Sequence, residues 1–125
     1  MSLYITYHDL DVWKVSRILV KEIYEITSHF PENEKFGLTN QIRRGSVSII
    51  SNFSEGHGRQ YKKENIQFIS IALGALNELE TQLILSIDLG FISEEQCGKC
   101  NDLIEQIRKL GFGYLRYLKN NTTLK

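Results

Sequence analysis

Cys97-Gly98-Lys99-Cys100 sets two thiols three residues apart, the spacing of a redox disulfide or of half a zinc site. The redox version needs a strand–helix context, and here the pair falls inside a helical pattern. The zinc version needs two more ligands, and the chain has no second C-x-x-C and no H-x3-H, so Cys97 and Cys100 read as structural or incidental. His8, His29 and His57 show no ligand spacing. Gly56-x-Gly58 is a fragment of a phosphate loop, without the third glycine, the preceding strand or a G-K-[ST]. Ser46, Ser48, Ser51 and Ser54 lie outside any G-x-S-x-G. Glu78 and Glu80, two residues apart, point about 200° apart on a helix. Glu-x-x-His pairs, which a di-iron bundle needs, do not occur. The expectation is a non-enzymatic protein without metal or cofactor.

Two polar sets remain. Asn52 and Glu55, three residues apart, share a helix face. With Arg44 nearby and Glu80 on a later helix, they suggest a buried polar clamp between the second and third helices, since an inward carboxylate needs a donor. The second set is cationic. Fifteen basic residues balance fifteen acidic ones, yet the charge is segregated. Residues 35–63 carry net +5 and 108–125 net +5, while 1–34 carry −3 and 64–107 carry −7. Lys62 and Lys63 sit where a third helix begins, and its dipole disfavours positive charge there. An anionic partner is one reason for such an arrangement, and Tyr61 beside them suits stacking on a base.

The elements that position these groups are helical. At 125 residues, 42% hydrophobic and 24% charged, the chain suits one globular domain. One proline argues against a loop-rich or all-β design, and two cysteines do not make a disulfide scaffold. Breaks near Pro31, Gly56-His57-Gly58 and Gly90 leave four stretches with apolar residues at helical spacing. They predict helices at about 9–29, 39–55, 62–89 and 94–119. Asp9 or Asp11 would cap the first and Thr39 the second. Ser93 and Gln96 have capping-box spacing for the fourth. Gly56 would end the second helix, and Gly111 and Gly113 would weaken or bend the fourth. Short turns between four amphipathic helices predict an all-α, up-down-up-down antiparallel bundle over 1–125. That topology brings Arg59, Lys62 and Lys63 to the same end as Arg116, Lys119 and Lys125. No apolar run approaches a membrane span and no leader opens the chain, so the expected compartment is the cytoplasm.

Three stretches resemble one family. They are Phe36-Gly37-Leu38-Thr39-Asn40-Gln41-Ile42-Arg43-Arg44, Ser48 through Gly56, and Gly58-Arg59. Ile71-Ala72-Leu73-Gly74-Ala75, Glu78 through Leu83 and the early Leu10-Asp11-Val12-Trp13 agree with it. The chain is similar over about 8–119 to the four-helix bundle proteins often encoded by intervening sequences in bacterial 23S rRNA genes. It is also similar to the accessory proteins of diversity-generating retroelements. The resemblance implies a homopentameric ring without enzymatic activity, nucleic acid and a reverse transcriptase as possible partners, and matched positions Arg43, Arg44, Arg59, Asn52, Glu55 and Glu80. Tyr61 and Asn65 depart from the usual serine and aromatic at the start of the third helix.

Two readings stay open. In the first, an oligomeric bundle binds RNA or DNA through phosphates at Arg43, Arg44, Arg59, Lys62, Lys63, Arg116 and Lys119. In the second, it is a protein–protein interaction scaffold whose charges serve subunit docking only.

Overall fold

The computed structural model describes residues 6–120. Helix α1 spans Asp11–Thr27, α2 Leu38–His57, α3 Lys62–Asp88 and α4 Glu94–Asn120, with 3-10 turns at Tyr7–Asp9 and Glu32–Glu34. No strand occurs among the described residues. Helices adjacent in sequence pack on one another, α1 also packs on α4, and α2 against α3 is the most extensive pairing. This is the antiparallel four-helix bundle.

The packing follows from apolar stripes at helical spacing. Leu19 and Ile23 of α1, Ile42, Ile49 and Phe53 of α2, Ile69, Leu76 and Leu79 of α3, and Ile104 and Ile107 of α4 are fully buried together. Burying one such side chain contributes about 1.5–3 kcal/mol, so this core holds the four helices together. By length and composition α3 alone among the described helices is long and apolar enough to cross a membrane. In the bundle it gives the core six buried residues, among them Leu73 and Leu83.

The helix ends show where local signals were read correctly and where they were not. Ser93 and Gln96 form the capping box: the Gln96 N–H donates to Ser93 Oγ at 3.1 Å, and the Ser93 N–H donates to Gln96 Oε1 at 2.9 Å. Asp9 does not cap α1. Its carboxylate accepts the Thr6 N–H at 3.1 Å and closes the preceding 3-10 turn, and Asp11 is already the first residue of α1. Thr39 does not cap α2 either. The helix starts at Leu38 after Gly37, and Thr39 is buried inside the first turn.

Two glycines act through space rather than through backbone freedom. Gly56 lies within α2, where a Cβ would stand 2.9 Å from Ile69 Cδ1 and 3.0 Å from Phe68 Cβ. It lets α2 and α3 approach just before their connecting turn. Gly111 does the same for α4: a Cβ there would meet Leu73 Cδ2 at 2.7 Å and Phe53 Cζ at 3.3 Å. Gly90 has φ 79° and makes the reversal between α3 and α4.

Candidate nucleic-acid interface

Four helix termini meet at one end of the bundle. There the Trp13 Nε1–H donates to Ser54 Oγ at 2.9 Å, tying the start of α1 to the last turns of α2. His57 Nδ1 and the Tyr114 hydroxyl hydrogen-bond at 2.8 Å, tying the end of α2 to α4. The Lys62 ammonium donates to the Lys119 carbonyl at 2.9 Å, tying the start of α3 to the end of α4. This last bond explains a positive charge at an unfavourable helix start. Lys62 opposes the dipole of α3 but complements that of α4, whose terminal carbonyls carry partial negative charge.

The turn between α2 and α3 is held by a residue that looked anomalous in the sequence. Asn65 is buried. With its amide nitrogen turned toward the chain, it donates to the carbonyls of Tyr61 at 2.7 Å and Arg59 at 2.9 Å. This bracket fixes Arg59 and Tyr61 at the tip, where Tyr61 is 53% exposed. Arg59 pairs with Glu55 one turn back in α2 and lies over the Phe68 ring, 4.6 Å from its centroid. Lys63, Arg116 and Lys119 are exposed, and their cationic groups make no ion pair with a described residue. Tyr117, 58% exposed, stacks on Tyr114 with centroids 6.5 Å apart.

Residues 6–17, 55–64 and 113–120 form this end, with seven Lys and Arg against four Asp and Glu. Residues 21–44 and 78–105 form the opposite end, with five against eleven. The neutral chain is therefore a bipolar rod. Lys14 and Arg17 of α1 join the basic end, a contribution the sequence reading missed because it counted α1 within an acidic segment.

The seven candidate cations are not one set. Arg59, Lys62, Lys63, Arg116 and Lys119 are gathered, while Lys125 lies outside the described residues. Arg43 is at the opposite end. Its Nε–H donates to Thr27 Oγ1 at 2.9 Å, and its guanidinium lies 4.7 Å from the Tyr24 ring centroid. It clasps α1 to α2. Arg44 also lies away from the basic end and lines a groove between α2 and α3 with Glu78 and Gln82.

The expected clamp of Asn52, Glu55 and Glu80 is not assembled. Asn52 donates to the carbonyl and hydroxyl of Ser48, at 2.8 and 3.1 Å, within its own helix. Glu55 is half exposed and serves Arg59. Glu80 accepts from Arg108 of α4 at 3.0 Å, and the same guanidinium reaches Asn77 Oδ1 at 3.3 Å and Glu105. The polar clasp of α3 therefore faces α4. Glu105-x-x-Arg108 was its sequence signal, a pairable i,i+3 spacing.

Cys97 and Cys100 are both fully buried. Burial pushes both thiols up, and Cys100, with the Glu22 carboxylate adding to the effect, is raised to about 12. Neither is a thiolate at neutral pH, and no group of three or more metal-ligating side chains occurs among the described residues.

The family model of the 23S rRNA-intervening sequence proteins matches residues 8–113. The chain belongs to this family. A solved structure from Bacteroides thetaiotaomicron, a protein of unknown function from the S23 ribosomal protein family, is similar at 28% identity and TM-score 0.77. The match covers 84% of this chain and 98% of that one. No curated protein matches the chain. The membership accounts for the helix 2 and helix 3 motifs, which lie within the matched span.

Proposed function

We propose that this family member is a non-enzymatic cytoplasmic module that binds RNA or DNA through the phosphates, at the basic end of the bundle. The observation that carries this reading is the Lys62–Lys119 bond. It joins two helix termini and so presents Lys63, Arg116 and Lys119 together, beside the exposed rings of Tyr61 and Tyr117. Cations give sequence-independent attraction, and the rings give base stacking without sequence readout. Arg43 and Arg44 are not part of this surface. The module works as a homo-oligomer, a pentamer by the family resemblance, so that several basic ends act on one strand. A reverse transcriptase is a protein partner that the same resemblance suggests.

The test is fluorescence anisotropy of a labelled single-stranded RNA oligonucleotide titrated with the intact chain at several salt concentrations. Binding that weakens with salt, with a log–log slope of about −0.7 for each phosphate contacted, supports the proposal. Absence of binding at low salt refutes it.

A second reading, an interaction scaffold, has its own observation. Ile71, Ile84 and Leu85 of α3 and Leu89 just beyond it are each at least 46% exposed. Apolar side chains so placed suit a protein partner. Under this reading, polar substitutions at Ile84 and Leu85 change assembly while the basic end has no effect on RNA.

A further inference from the structure

The groove between α2 and α3, far from the basic end, holds a polar arrangement that the bundle itself does not satisfy. Its volume is about 370 Å³, and Arg44, Gly45, Ser48, Ala75, Glu78 and Gln82 line it. Gln82 is 8% exposed, and its carbonyl Oε1 has no hydrogen-bond partner among the described residues. Its amide nitrogen donates to Glu78 Oε1 at 3.4 Å. A buried acceptor left unmade is destabilising, so this one marks a place for a donor. Gly45 faces this oxygen, and a Cβ there would stand 3.7 Å from Oε1, in van der Waals contact.

The charges across the groove are complementary and separate. Arg44 comes from α2 and Glu78 from α3, and the two make no ion pair with each other or with another described residue. The helix backbones hold them on opposite walls. Ser48 Oγ accepts from Asn52 at 3.1 Å, which leaves its O–H available to donate. Ala75, which is partly exposed, gives an apolar floor.

We infer that this groove binds a free α-amino acid with an apolar side chain. The Arg44 guanidinium and the Ser48 hydroxyl take the carboxylate. Glu78 takes the ammonium, the Gln82 carbonyl accepts a further N–H, and the side chain rests on Ala75. A phosphate group does not fit this set, because Glu78 would repel it. The site is thus distinct in chemistry and position from the basic end, and neither depends on the other.

The experiment is isothermal titration calorimetry of the full chain with L-leucine, alongside N-acetyl-leucine and leucinamide, which each lack one charge. The expected result is saturable binding of L-leucine with a Kd of about 1 mM, and binding roughly tenfold weaker for either analogue. Gly45→Val, which fills the approach to Gln82, and Arg44→Gln, at an exposed position, should each remove the heat. Circular dichroism checks that both variants fold, and RNA binding by Arg44→Gln stays as in the parent chain. No saturable heat with L-leucine, or equal binding of N-acetyl-leucine, overturns the inference whatever the RNA experiment shows.

Discussion

Arg43 and Lys63 are both cations on helices of the same bundle, and they do opposite things. Arg43, at the acidic end, is turned inward onto the buried Thr27 hydroxyl and the face of Tyr24. Lys63, at the basic end, is turned to solvent beside Arg116 and Lys119. The difference comes from what the neighbouring helix offers. At the acidic end α1 presents a hydroxyl and a ring within reach of α2. At the basic end the termini of α3 and α4 are already joined by Lys62, Glu55 is taken by Arg59, and Lys63, Arg116 and Lys119 make no ion pair with a described residue. A basic residue in a family motif can therefore be a strut, while an unremarkable lysine near a helix start is part of a surface.

The contrast breaks most visibly under a combined Lys63→Ala, Arg116→Ala and Lys119→Ala substitution. If each cation meets one phosphate, removing three changes the salt slope by about 2 and weakens RNA binding roughly 100-fold at 0.1 M salt. Thermal unfolding of the same variant should stay close to that of the parent chain, because none of the three side chains makes an ion pair with a described residue. Arg43→Ala should do the reverse. It removes a charged hydrogen bond to a buried hydroxyl and costs about 2 kcal/mol in urea unfolding, with RNA affinity unchanged. A smaller effect is expected for Ser54→Ala. The buried part of Trp13 loses its acceptor, and stability falls by about 1 kcal/mol.

Alkaline pH probes both ends of the rod. Cys100, ordinarily at 9.0, is raised to about 12 by burial and then by Glu22. Tyr114, ordinarily at 10.0, is raised to about 12 by burial and then by Tyr117. Both groups hold their protons more tightly folded than unfolded. Their contribution is complete below pH 9 and is lost as pH rises toward 12. Urea midpoints should be flat from pH 7 to 8.5 and fall above pH 9. Cys97→Ser with Cys100→Ser shifts that fall to higher pH, and an unshifted fall assigns it to other groups.

Much of this fold is legible in the sequence, because the apolar stripe of each helix and the breaks at Pro31 and Gly90 are local signals. The capping box at Ser93 and Gln96 was equally local. What could not be read depended on neighbours across the bundle. Gly56 and Gly111 looked like a stop and a weak point. They are places where Ile69 and Leu73 leave no room for a Cβ. Asn65 looked like a misfit, but its role is to hold two carbonyls of the preceding turn. The gathering of cations at one end was legible from topology alone. The separation of Arg43 and Arg44 from that end was equally available, since they stand near the start of α2 and the others near its finish. The family motif obscured it by grouping them with Arg59. The clamp failed for a different reason: the facing direction of Glu80 is set by Arg108, a residue outside the motif.

Backbone amide chemical shifts of the labelled chain, recorded while a single-stranded RNA oligonucleotide is added at low salt, test the location of the surface most directly. The account predicts shifts concentrated at 59–63 and 114–120 and none at 39–44. Changes centred on 39–44, or no changes at either end, contradict it.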